Sequence, residues 1–142
     1  MPSMLRLKNK RIVIVEDNSA NLAVMSTILQ LEGAKTAFER WGVTTIPRLK
    51  AFAPVDLILL DLMFPNGVTG FDIFDEIRAH PDFATVPICA VSAMDVAIAL
   101  PRVRAKGFNG LISKPIDMDQ FPAMLEKLLN GTPVWPFQYL PR

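Results

Sequence analysis

Five polar side chains stand at equivalent places in this sequence. Glu16 and Asp17 follow the apolar run RIVIV, Asp61 follows VDLILL, Ser92 follows VPICAV, and Lys114 follows GLIS. Three carboxylates gathered at one point repel one another and take up protons unless a cation joins them. An all-oxygen donor set with few protein ligands suits Mg2+, which keeps several waters and readily shares its shell with a phosphate. A lysine and a hydroxyl beside them would then act as a point charge and a hydrogen-bond donor toward phosphoryl oxygens. Singly, each residue has a plainer use. Glu16, Asp17 or Ser92 can cap a helix, Asp61 can cap a turn, and Lys114 can be a surface charge. The arrival of all five at the ends of four apolar runs is what points to phosphoryl chemistry.

Those runs need a scaffold that brings their ends together. RIVIV (11–15), VDLILL (55–60) and VPICAV (86–91) are too short for helices and carry aliphatic residues without alternation, as in strands buried on both faces of a parallel sheet. GLIS (110–113) and KTAF (35–38) supply two more. Between them lie helical patterns. Leu22, Met25 and Leu29 follow a Ser19 cap and stop at Gly33, while Phe121, Met124, Leu125 and Leu128 follow a capping box of Asp117 and Gln120. Pro47 and Pro101 fall in the second and fourth helices, which are expected to be short or irregular. The alternation predicts an α/β domain with a five-stranded parallel sheet, doubly wound and flavodoxin-like, with helices on both faces. Ligands of such sheets bind at the carboxyl ends of the strands, where the five polar residues stand.

Bulk properties narrow the partners. The 142 residues, 51% hydrophobic and 20% charged, suit one compact domain over 1–130, followed by a Pro- and aromatic-rich extension, GTPVWPFQYLPR (131–142). A net charge of +1 leaves no electrostatic footprint for nucleic acid or for an anionic membrane surface. No run is long enough to span a bilayer, and the lone Cys89 in an apolar run reads as a small buried hydrophobe of a reducing compartment, so a cytoplasmic location is expected. His80 reads as an exposed loop residue. Trp41 is expected near the strand ends, either partly buried or available for docking. The extension carries too much apolar surface for a solvated tail, and Trp135 and Phe137 are expected to dock on the domain or on a second copy.

IVIVEDN, DLILLDLMFP, VPICAVSA and LISKP, in this order and spacing, resemble the receiver domain of two-component response regulators, the family of the single-domain chemotaxis regulator. The likeness runs from about Lys10 to Leu129. It implies that Asp61 accepts a phosphoryl group from a histidine kinase or histidine phosphotransfer protein. It also implies a Mg2+ ion held by Asp17, Asp61 and the Met63 carbonyl, with Glu16 acting mainly through water. Ser92 and Lys114 would contact the phosphoryl oxygens, the small Ala93 would leave them room, and the Lys114–Pro115 bond would be cis. The output would pass to a protein target by conformational change, with a homodimer as a further candidate, no nucleic acid or membrane as partner, and only weak self-dephosphorylation in place of enzyme activity.

Two features depart from the family pattern. Leu111 occupies the place, three residues before the lysine, where the family usually carries Tyr or Phe, and the stretch from Pro65 to Gly70 is one residue longer than usual. Leu111 keeps open a receiver-like module that is never phosphorylated. A haloacid-dehalogenase-type phosphohydrolase also attacks with a strand-end aspartate but needs a second aspartate two positions on, where this chain has Met63.

Overall fold

The computed structural model describes residues 5–136. Its elements alternate: β1 (Arg11–Val15), α1 (Ser19–Leu31), β2 (Lys35–Glu39), α2 (Thr45–Phe52), β3 (Leu57–Leu60), α3 (Gly70–Ala79), a 3-10 turn (Pro81–Phe83), β4 (Ile88–Ser92), α4 (Val96–Lys106), β5 (Gly110–Ser113) and α5 (Phe121–Leu129). All strand pairs are parallel, in the order β2-β1-β3-β4-β5. This is the doubly wound, flavodoxin-like sheet expected.

Successive strand side chains point to opposite faces, and both faces are buried. Val13, Val15, Ile58, Leu60, Ile88, Ala90 and Leu111 join the core under α2, α3 and α4. Ile12, Ile14, Leu57, Leu59, Cys89, Val91 and Ile112 join the core under α1 and α5. The absence of polar alternation in the three central runs therefore reports two-sided burial. The switch point lies between β1 and β3, where the winding direction reverses and a crevice opens at the carboxyl edge.

Several local readings are corrected. Asn18, not Ser19, caps α1, its side chain accepting from the Asn21 N–H at 2.9 Å. Asp117 caps a turn before α5, accepting from the N–H groups of Asp119 and Gln120, and the N-cap Gln120 makes no side-chain cap bond. Pro122 removes one of the donors that such a cap would serve. Helix α2 is short, with eight residues, but α4 runs eleven residues through Pro101. Pro101 and Ala97, whose carbonyl it orphans, both lie on the exposed face, so water can take the lost bond. His80 is half-buried, not exposed. It caps the 3-10 turn through Nδ1, which accepts from the Asp82 N–H at 3.2 Å.

After α5 the chain turns back and meets the free edge of β5. Val134 bridges Gly110 in parallel, its N–H donating to Asn109 and its carbonyl accepting from the Leu111 N–H. Val134 is buried in the core on the α5 side, while Trp135 packs on the opposite core with the Arg104 guanidinium 5.5 Å from its ring. Trp135 thus docks on its own domain; Phe137, Tyr139 and Leu140 lie outside the described residues. Among those described, no helix is long and apolar enough to cross a membrane.

Candidate functional site

Each polar residue of the site is placed by the backbone ladder that ends just before it. Val15 pairs with both Glu39 and Leu60, so Glu16 and Asp17 leave the sheet beside the end of β3. The Asp61 N–H donates to the Val15 carbonyl at 3.0 Å, and the Lys114 N–H donates to the Ser92 carbonyl at 2.9 Å. Parallel register thus carries all four strand ends to one edge.

The side chains converge there. Glu16, Asp17 and Asp61 each present a carboxylate oxygen within 4.8 Å of the others. Lys114 Nζ lies 2.5 Å from Glu16 Oε1 and donates to Asp61 Oδ2 at 3.2 Å. Asp61 Oδ1 accepts from the Leu62 N–H at 2.7 Å, which fixes the carboxylate plane. The Lys114 ammonium is thus the partner of the buried Glu16 Oε1. Three carboxylates gathered this closely, with a single ammonium beside them, fit a hard divalent cation, with Glu16, Asp17 and Asp61 as the residues able to hold it.

Burial dominates the electrostatics. Glu16 is 1% exposed, and its pKa is pushed up from 4.5 to about 7, first by desolvation and then by the Asp61 carboxylate, against the opposing pull of Lys114. Desolvation would lower the lysine, yet Glu16 and Asp61 outweigh it and hold Lys114 above its ordinary value. Since folded Glu16 keeps its proton up to a higher pH than unfolded Glu16, the folded state binds more protons across this window. With a metal chelator present, its contribution to stability is expected to fall as pH rises from about 4.5 to 7 and to stay level outside that range. Urea melts of the protein and of Glu16→Gln check this; a stability difference that does not change with pH would count against it.

Ser92 is buried at the same edge, and its Oγ accepts from the Met94 N–H at 3.1 Å. It caps the turn after β4, whereas the helix cap of its plainer reading belongs to Asp95, whose side chain accepts from the Ala97 N–H at 3.0 Å. Met63 is exposed, and its N–H lies 3.4 Å from Asp61 Oδ1. Ala93 is exposed beside Ser92, and Lys114–Pro115 is cis as the resemblance implied. Trp41 is 51% exposed, and its carbonyl accepts from Asn66, which ties its loop to the loop after β3. Leu111 is 2% exposed, packed in the core under α2, α3 and α4.

Three positioning residues were missed in the sequence. Glu39 ends β2 buried, accepting from the N–H groups of Trp41 and Gly42 and from Thr44 Oγ1 at 2.6 Å. Arg40 donates to the Asp17 carbonyl at 3.0 Å. Gly70 starts α3 so close to β3 that a Cβ would lie 2.2 Å from the Asp61 carbonyl oxygen. Glu39 was the legible one, since it too is a carboxylate directly after a strand run.

A family model for the response regulator receiver domain matches residues 12–126. The polar-differentiation response regulator DivK of Brucella ovis is 28% identical over 121 residues, which cover 85% of this chain and 97% of that protein. The chemotaxis response regulator CheY4 of Vibrio cholerae superposes with a TM-score of 0.76 at 20% identity, over 85% of this chain and 99% of that one. The receiver domain of the sensor histidine kinase PA1611 from Pseudomonas aeruginosa, described with a magnesium ion coordinated in its active site cleft, superposes with a TM-score of 0.73 at 27% identity. That match covers 86% of this chain and 98% of the other.

Proposed function

The chain belongs to the response regulator receiver domain family, and from that premise we propose that it accepts a phosphoryl group on Asp61 from a phosphohistidine donor. Receiver domains of two-component systems are phosphoacceptors rather than enzymes in the usual sense, and they work with histidine kinases or phosphotransfer proteins and downstream targets. The observation that carries the assignment to Asp61 is its position between Lys114 and the two acids at the end of β1. One Asp61 oxygen is held by the Leu62 N–H, and the other faces the ammonium. In the transfer, the P–N bond to the donor histidine breaks as the Asp61 oxygen bonds to phosphorus. Lys114, already charged, exchanges its Asp61 contact for a phosphoryl oxygen, and the Ser92 hydroxyl donates to another.

Mg2+ bound by Glu16, Asp17, Asp61 and the Met63 carbonyl would neutralise the charge that gathers on the phosphoryl oxygens. Arg40 supports that set indirectly by fixing the Asp17 backbone. Water admitted in line would account for slow self-dephosphorylation. The signal would pass to a protein target through the loop after Ser92 and α4, without an inward ring rotation, because Leu111 has no aromatic ring to turn.

The experiment is intact-mass measurement after incubation with acetyl phosphate, with and without Mg2+. One phosphoryl group should appear only with the ion present. No incorporation with either acetyl phosphate or a phosphorylated histidine phosphotransfer protein would favour the unphosphorylated interaction module, and incorporation in the absence of a divalent ion would remove the metal from the mechanism.

A further inference from the structure

Trp41 is 51% exposed, yet the loop that carries it, between β2 and α2, is tightly held. The buried Glu39 carboxylate accepts from the N–H groups of Trp41 and Gly42 and from Thr44 Oγ1, and these bonds offset the cost of burying the charge while closing the turn. Gly42 has φ +83°, and a Cβ there would lie 2.6 Å from Ile73 Cδ1, so the turn is pressed onto α3. On two sides the loop is fastened to the acceptor crevice. The Arg40 guanidinium lies 5.4 Å from the Trp41 ring centre and donates to the Asp17 carbonyl, while Asn66, in the loop after β3, donates to the Trp41 carbonyl. A preformed loop that presents a large aromatic loses little freedom when that aromatic is covered, which is the property of an interface anchor.

We propose that Trp41 is a docking anchor for the protein that carries the phosphohistidine, a proposal that rests on the reading of Asp61 as the acceptor. Asp61 is buried, so a protein-borne imidazole reaches it only when the donor's own surface closes over the crevice mouth. The exposed side chains around that mouth are then covered as transfer takes place. Trp41, Met63 and Ala93, from the loops after β2, β3 and β4, are exposed and apolar, and they fit a donor surface that is apolar around its histidine. Acetyl phosphate, small enough to enter the crevice alone, gains nothing from them. A downstream target is the poorer occupant, because it must sense a change made by phosphorylation. The Trp41 loop is tied to Asp17 and Asn66, and not to the loop after Ser92 through which the signal would pass.

The test labels the full chain, with Mg2+ present, from two sources. One is monophosphoimidazole, which has the donor's P–N bond and no protein surface; the other is a panel of phosphorylated histidine phosphotransfer proteins and kinases. Trp41→Ala should raise the protein donor concentration needed for half-maximal rate by about 10- to 100-fold, leaving the maximal rate and the monophosphoimidazole rate unchanged. Trp41→Phe should recover most of that loss, and both variants should melt within about 2 °C of the unaltered protein. An unchanged half-saturation in Trp41→Ala would overturn the proposal, and a drop in oligomeric mass for that variant would assign the indole to a second copy instead. A parallel fall in monophosphoimidazole labelling would also overturn it, by making Trp41 a support for the crevice. If the panel labels nothing while monophosphoimidazole labels Asp61, the docking proposal falls and the acceptor reading stands. No label from either source would remove the acceptor reading, and this proposal with it.

Discussion

Asp61→Asn is expected to take up no phosphoryl group at all from acetyl phosphate plus Mg2+ while keeping its fold. The amide is nearly isosteric and its oxygen can still accept from the Leu62 N–H, so the backbone around β3 has no reason to move. What disappears is the nucleophile, since an amide oxygen cannot form the acyl phosphate. The charge balance shifts as well. Asp61 raises the Glu16 pKa both by hydrogen bonding and by repulsion, so Glu16 should titrate lower in the variant, though burial, the largest cause, remains. Losing one of three crowded carboxylates offsets losing one of the two acidic contacts of Lys114. Stability with a chelator present should therefore stay within about 1 kcal/mol of the unaltered protein, while the Tm rise produced by Mg2+ should shrink. Phosphoryl incorporation retained in a folded Asp61→Asn protein would place the acceptor elsewhere, and an unchanged response to Mg2+ would remove Asp61 from the metal set.

The strand ends were readable because parallel sheets convert one-dimensional order into position. An apolar run buried on both faces must stop where its first charged residue appears, and register then sets those residues side by side. Glu16, Asp61 and Lys114 could be placed together without knowing a single contact. Caps were harder. Asn18 and Ser19 are both good capping residues, and only the backbone conformation at Asn18, φ −77° and ψ 117°, settles which one turns outward. Pro101 misled for a related reason, since its cost in α4 depends on whether the orphaned carbonyl faces water, a tertiary fact. Gly70 carried no readable signal, because a glycine that admits a neighbouring backbone looks in sequence like any loop glycine.

Gly70 has the largest expected effect on stability and reaches the site through the backbone alone. It is the first residue of α3, its N–H donates to the Leu62 carbonyl at 2.9 Å, and Thr69 caps the helix by accepting from the Asp72 N–H. The helix start is thereby pressed onto the segment that carries Asp61. In Gly70→Ala, the new methyl would meet the Asp61 carbonyl oxygen at 2.2 Å and Leu62 Cα at 2.8 Å. Both are main-chain atoms, so no rotamer change relieves the clash, and α3 must retreat from β3 or the Asp61–Leu62 backbone must bend. Such overpacking costs roughly 1–3 kcal/mol, and more where main-chain atoms themselves must move, and a displacement of about 1 Å at the acceptor would slow phosphoryl transfer by around a hundredfold. Gly67→Ala serves as the comparison. Gly67 has φ +82° but open space around it, so alanine there meets only the left-handed backbone preference, about 1–2 kcal/mol. Urea melts and initial rates of acetyl phosphate labelling should rank Gly70→Ala well below Gly67→Ala on both measures. Equal stability and equal labelling for the two variants would mean that α3 can back away freely, and that its close approach does not hold the acceptor in place.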